Sequence, residues 1–127
     1  MEEDYLYQKE TYKIIGACLE VHNNLGHGFL ETVYHKSLEK ELEIRRIPFQ
    51  KNVRFKVHYN DIDIGKVYIA DFVCYDKIII ELKAVSILHP EHNRQLLNYL
   101  KITGIKLGLL VNFGTSSLQF KRIINTT

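Results

Sequence analysis

Asp71, Glu81 and Lys83 are charged residues set in stretches that are otherwise apolar. Residues 67–75 form a β-branched and aromatic run with one carboxylate. Asp76 and Lys77 supply a turn, and residues 78–85 form a second apolar run broken only by Glu81 and Lys83. Two such runs around a short polar turn read as a β-hairpin. A three-residue tip centred on Asp76 places Asp71 directly across from Glu81, and Lys83, two residues on, shares the face of Glu81. Like charges opposite each other destabilise a sheet, and buried charge without a partner is costly. A divalent cation between the two acids removes the conflict.

Hard oxygen ligands suit Mg²⁺, with Asp71 and Glu81 as carboxylate donors and the carbonyl of Leu82 as a further oxygen. Such an ion gathers phosphate oxygens and activates water for phosphodiester cleavage. Lys83 on the same face is placed to stabilise the attacking group or the charge that develops. The competing reading is an ordinary cross-strand ion pair between Lys83 and one of the acids.

These residues need a sheet and helices to position them. Residues 5–23 and 29–44 carry apolar residues at helical spacing, separated by a break at 24–28. Pro48 closes the helical region. Residues 53–59 alternate with period two, and residues 62–75 form a long strand with a bend expected at Gly65. After the hairpin, Pro90 opens a helix running to about Thr103, with Gly104 as its C-cap. Residues 106–113 and 118–124 are two further strands. The order is α-α-β-β-β-α-β-β, an α/β domain whose mixed sheet is flanked by helices. The strands around Ile80 and Leu110 are apolar on both faces, as burial between two helical layers requires.

The helices add polar candidates. Glu31 and Tyr34 share one face of the second helix, and Gln95 and Tyr99 share one face of the third, with His92 a turn earlier. Arg54 and Lys56 lie in a basic stretch interleaved with Phe49, Phe55 and Tyr59, a pattern that suits a nucleic-acid backbone as well as a solvated strand face.

At 127 residues, 46% hydrophobic and 25% charged, the chain fits one domain spanning 1–127 with a sizeable core. Cys18 and Cys74 lie in apolar patterns without metal-type spacing, as expected of reduced core thiols in the cytoplasm. No apolar run approaches the ~20 residues of a membrane helix. Net charge is +2 but unevenly placed: residues 1–43 hold nine acids against four Lys/Arg, and residues 44–127 hold six against thirteen. That asymmetry suits a protein that meets a polyanion with one side.

Gly28-Phe-Leu-Glu31-Thr-Val-Tyr34 resembles the Gly-x-x-Glu-x-x-Tyr signature of a family of small proteins within the PD-(D/E)xK nuclease superfamily. Asp71, Glu81-Leu-Lys83 and Gln95-Leu-Leu-Asn-Tyr99 are similar to the Asp, Glu-x-Lys and Gln-x-x-x-Tyr motifs of its RecB-like branch. The resemblance covers nearly the whole chain, with Ala70 where the superfamily's name has Pro. It implies a restriction-endonuclease-like α-β-β-β-α-β core with an extra N-terminal helix. It implies Mg²⁺ or Mn²⁺ on Asp71 and Glu81, catalysis by Lys83, Glu31 as an added acid for the metal or its water, and Gln95 and Tyr99 as positioning residues. The expected nucleic-acid contacts are Tyr34, Arg54, Lys56, His92 and Arg94.

The function expected is a metal-dependent nuclease acting on DNA rather than RNA, alone, as a homodimer or with a partner protein, and without a membrane. The alternative is a non-catalytic nucleic-acid-binding or regulatory module that keeps the fold.

Overall fold

Apolar residues three and four apart make the two N-terminal helices. Helix α1, Gln8–Leu25, buries Ile14, Ala17, Cys18 and Val21, and α2, Glu31–Ile44, buries Tyr34, Leu38 and Leu42. The computed structural model describes residues 6–126, so the expected helix start at Tyr5 lies outside the described residues. Gly26 ends α1 with φ 71°, a conformation that a side chain would disfavour.

The strands are β1 (Phe49–Tyr59), β2 (Ile62–Cys74), β3 (Ile78–Lys83), β4 (Leu107–Asn112) and β5 (Gln119–Ile124), with α3 (Pro90–Thr103) between β3 and β4. They form one sheet in the order β1-β2-β3-β4-β5. Strands β3 and β4 are parallel, as a helical crossover between them permits, and the other neighbours are antiparallel. The order of elements is the one expected from the sequence. Pro90 opens α3, and Gly104, at φ 76°, closes it with its N–H on the Leu100 carbonyl.

Two cores sandwich the sheet. On one side Ile14, Cys18, Tyr34 and Leu38 pack against Phe72, Ile80, Leu82 and Leu109. On the other, Leu96 and Leu100 of α3 pack against Tyr68, Ala70, Val73, Ile79 and Leu110. Strands β3 and β4 are accordingly apolar on both faces. Both cysteines are buried free thiols. No helix among the described residues is long and apolar enough to cross a membrane.

Two irregularities shape the β1–β2 ribbon. The expected bend at Gly65 is present: the register shifts between Val57 and His58, leaving Ile64 and Gly65 unpaired. The second was not visible in the sequence. Tyr68 and Ala70 face α3, yet so does Val73, while Phe72 faces the α1–α2 layer. Strict alternation cannot place Ala70 and Val73 on one side. The pleat therefore changes phase at Asp71, opposite Asn52, whose φ is 50°. Pairing skips both residues and resumes in the same register on either side.

Candidate active site

The β2–β3 ladder pairs Cys74 with Ile78, Val73 with Ile79 and Phe72 with Ile80. The backbone ladder ends there; carried one step further, its register sets Asp71 across from Glu81, as expected from the sequence, and here side chains take over. The Asp71 N–H donates to Glu81 Oε2 at 3.3 Å, and the Leu82 N–H donates to Asp71 Oδ2 at 2.8 Å. The Asp71 carboxylate thus turns into the gap between the strands instead of standing on the face shared by Glu81 and Lys83. In an extended strand the N–H and C=O of one residue point to the same neighbour, so the Leu82 carbonyl is on this side too.

Glu81 faces α3. Its carboxyl is pushed up to about 8, first by burial and then by the negative charge of Asp71. The Tyr68 hydroxyl donates to Glu81 Oε2 and is itself pushed up by burial and by Glu81. Tyr68 is sandwiched: the Tyr99 ring lies on it at 3.7 Å between centroids, and Phe55 at 5.9 Å. The Tyr99 hydroxyl is raised by burial and by Glu81, while Gln95 acts in the opposite direction. Glu81, Lys83, His92, Gln95 and Tyr99 line one narrow crevice.

Glu31, in the first turn of α2, is exposed, but partial desolvation raises its carboxyl. Asp71 raises it further, and Lys83 and His35 oppose the shift. The mutual fields of Asp71, Glu31, Glu81 and Lys83 make one electrostatic cluster at the end of the β2–β3 ladder.

Lys83 is the last residue of β3, and its neighbour in β4 is Asn112. Asn112 is fully buried and clamps the chain beyond Lys83. Its Oδ1 accepts from Val85 N at 3.0 Å and Gly114 N at 3.1 Å, while its Nδ2 donates to Val85 O at 2.9 Å. A Cβ at Gly114 would meet the Val85 carbonyl at 2.3 Å, so the close approach requires glycine.

A family model described as the PD-(D/E)XK nuclease superfamily matches residues 8–123. The chain belongs to this superfamily. A crystal structure of SSO0001 shares the fold with a TM-score of 0.57 at 23% identity, covering 76% of this chain and 50% of that one. The chain therefore spans about half the length of the solved structure it matches. No curated protein matches it.

Asp71 and the Glu81-x-Lys83 pair, with Ala70 before Asp71, lie within the matched residues. The oxygen donors of Asp71, Glu81 and the Leu82 carbonyl fit a hard divalent cation. Full convergence with Glu31 is a different matter. Among the described residues no three His, Cys, Asp or Glu side chains are gathered as a ready metal cage. The physical reason is repulsion: each acid takes another partner, Glu81 the Tyr68 hydroxyl and Asp71 the Leu82 N–H.

Other expected site residues fall in different places. Tyr34 is not available to nucleic acid. It is fully buried, stacks on Phe113 at 4.8 Å, and donates its hydroxyl proton to the Gly26 carbonyl at 2.6 Å, closing the turn between α1 and α2. His92 lines the crevice, and its Nδ1 accepts from the N–H of His89 at 3.2 Å, which caps α3. Arg94 is exposed on α3, and Arg54 and Lys56 are exposed on β1. Sequence reasoning missed Tyr68 and Asn112. Alternation put Tyr68 on the face away from Asp71 and Glu81, and only the phase change corrects that. Asn112 fell inside the expected strand 106–113, where nothing in the pattern marks its side chain as a clamp.

Proposed function

We propose that this protein is a divalent-metal-dependent nuclease that hydrolyses phosphodiester bonds in DNA, of the Gly-x-x-Glu-x-x-Tyr kind within its superfamily. The observation that carries this reading is the end of the β2–β3 ladder, where Asp71, Glu81 and Leu82 turn polar groups into one gap. Burial raises Glu81 beside the charge of Asp71, a conflict that a bound cation relieves.

Asp71, Glu81 and the Leu82 carbonyl are the residues to hold Mg²⁺ or Mn²⁺. The bound ion supplies Lewis acidity toward phosphate oxygens and water. Lys83 directs its ammonium at the charge that grows on the phosphoryl oxygens. Glu31, with a carboxylate more basic than usual, orients the attacking water. Gln95 bonds to Tyr99, Tyr99 stacks on Tyr68, and Tyr68 in turn holds Glu81.

The second reading is a nucleic-acid-binding module without turnover. It is favoured by the absence, among the described residues, of a ready three-residue cage. Incubating purified protein with plasmid, single-stranded DNA and RNA in Mg²⁺, Mn²⁺ or EDTA separates the two. Metal-dependent cleavage that falls at least ~100-fold in Lys83→Ala, with melting temperature and its metal response retained, supports the nuclease. Binding without cleavage in either metal supports the module.

A further inference from the structure

A cavity of about 480 Å³ opens between α2 and the shared bend of β1 and β2. Thr32, His35 and Lys36 line it from the helix and Lys51 and Asn52 from β1, while Asp71 forms the wall it shares with the active site. The volume is that of a small-ligand site. A stacked base pair cannot enter such a space, and a base must leave its helix to occupy one. Glu31 and Glu39 join Asp71 in the lining against Lys36 and Lys51, and Lys51 is held by Glu39 at 2.9 Å. The carboxylates outnumber the ammonium groups, so the space favours a neutral base whose ring N–H groups donate hydrogen bonds over a phosphate.

The phosphates have another place to go. Beyond the phase change at Asn52, Phe55 turns toward α3, and the alternate residues Arg54 and Lys56 turn to the side on which the cavity opens. They pair with Ile69 and Val67. Those two apolar residues are 48% and 43% exposed, because α3 covers only the opposite face of this half of the sheet. Arg54 and Lys36 form no ion pair among the described residues, and Lys56 meets Asp63 only at 3.9 Å. A row of weakly engaged cations beside exposed aliphatic side chains therefore leads to the cavity mouth. That combination suits an unpaired strand, with phosphates on the cations and the apolar faces of unstacked bases against the aliphatic side chains.

We propose that the cavity seats one unpaired nucleotide of a single strand whose backbone crosses Arg54 and Lys56, so that the substrate is single-stranded and not paired. The inference takes its position beside Asp71 from the nuclease reading, but its test does not require cleavage.

Thr32 is exposed on the cavity lining, and Thr32→Cys alkylated with a bulky maleimide plugs the space after the protein has folded. Cys18 and Cys74 are buried, and burial raises both thiols, Cys74 to about 12, so they react poorly. Anisotropy of a short labelled oligothymidylate, and of its duplex with oligoadenylate, is read in EDTA before and after alkylation.

The expected result is single-strand binding about tenfold tighter than duplex binding, falling to the duplex level once the plug is in place. Arg54→Glu with Lys56→Glu weakens it as well and flattens its salt dependence. An oligouridylate arm reports which sugar is preferred, and tight binding of either supports the inference. Duplex bound as tightly as single strand, or affinity indifferent to the plug, overturns it. Plug-sensitive single-strand binding without any cleavage in Mg²⁺ or Mn²⁺ supports the inference while sinking the nuclease reading. Cleavage of blunt duplex with the plug in place does the reverse.

Discussion

Tyr68 donates its hydroxyl proton to Glu81, and Tyr99 lies flat on the Tyr68 ring at 3.7 Å between centroids. A residue of α3 thereby acts on a β3 carboxylate through a β2 tyrosine. Tyr68→Phe keeps the stacked ring and removes only the hydrogen bond. That bond opposes the rise of the Glu81 carboxyl, so the variant's Glu81 holds its proton to higher pH. The expected outcome is a metal-induced rise in melting temperature whose onset moves to more alkaline pH, at a stability cost of about 1 kcal/mol. An onset at the same pH in both proteins would show that Tyr68 does not control Glu81.

Glu81 also makes stability depend on pH. Its ordinary value near 4.5 is raised to about 8 in the fold, by burial first and Asp71 second. Below about pH 4.5 both folded and unfolded chains carry the proton and nothing is lost. Between about 4.5 and 8 the unfolded chain has released it and the folded chain has not, so stability falls as pH rises. Above about 8 the penalty is complete and constant. Urea unfolding in EDTA should show this decline in wild type and its flattening in Glu81→Gln. The variant should gain on wild type by on the order of a few kcal/mol across the window. Parallel curves for the two proteins would refute the assignment.

The fold was legible because its signals are strong and local. Helical spacing, Pro90 and Gly104 at the ends of α3, and the β-branched runs each act within a few residues. The Asp71–Glu81 register followed from the turn at Asp76. What stayed hidden depends on contacts between distant segments. The left-handed Asn52 and the unpaired Asp71 shift the pleat, and no period-two pattern announces that shift. It is what brings Tyr68 to Glu81. Tyr34 misled for a related reason: its motif position gives a spacing, but whether the ring faces solvent or Phe113 is set by packing.

Asn112 should matter more than its distance from the chemistry suggests. It satisfies both backbone groups of Val85 and the N–H of Gly114, and its strand neighbour is Lys83. Asn112→Ala strands these groups in a partly buried place, where each unmet partner costs about 1–3 kcal/mol. We expect a loss of at least about 3 kcal/mol by urea unfolding. Wherever the variant still folds, cleavage should fall further than the unfolded fraction explains, because Lys83 is released. A loss below about 1 kcal/mol would mean that the clamp is not holding this segment.

His35 presents the opposite situation, a polar atom that the fold does not satisfy. Its ring stacks on Phe72 at 4.4 Å between centroids, at 23°, and its Nε2 is buried without a hydrogen-bond partner. A buried nitrogen of this kind destabilises, whereas the ring around it contributes packing. His35→Phe keeps the ring over Phe72 and removes the orphan, so the variant should be more stable by about 1 kcal/mol. The same substitution removes one of the two groups that hold the Glu31 carboxyl down, and the Glu31 titration, followed by NMR, should move upward. Stability that falls in His35→Phe would show instead that Nε2 has a partner, and that a water in the neighbouring cavity belongs to the fold.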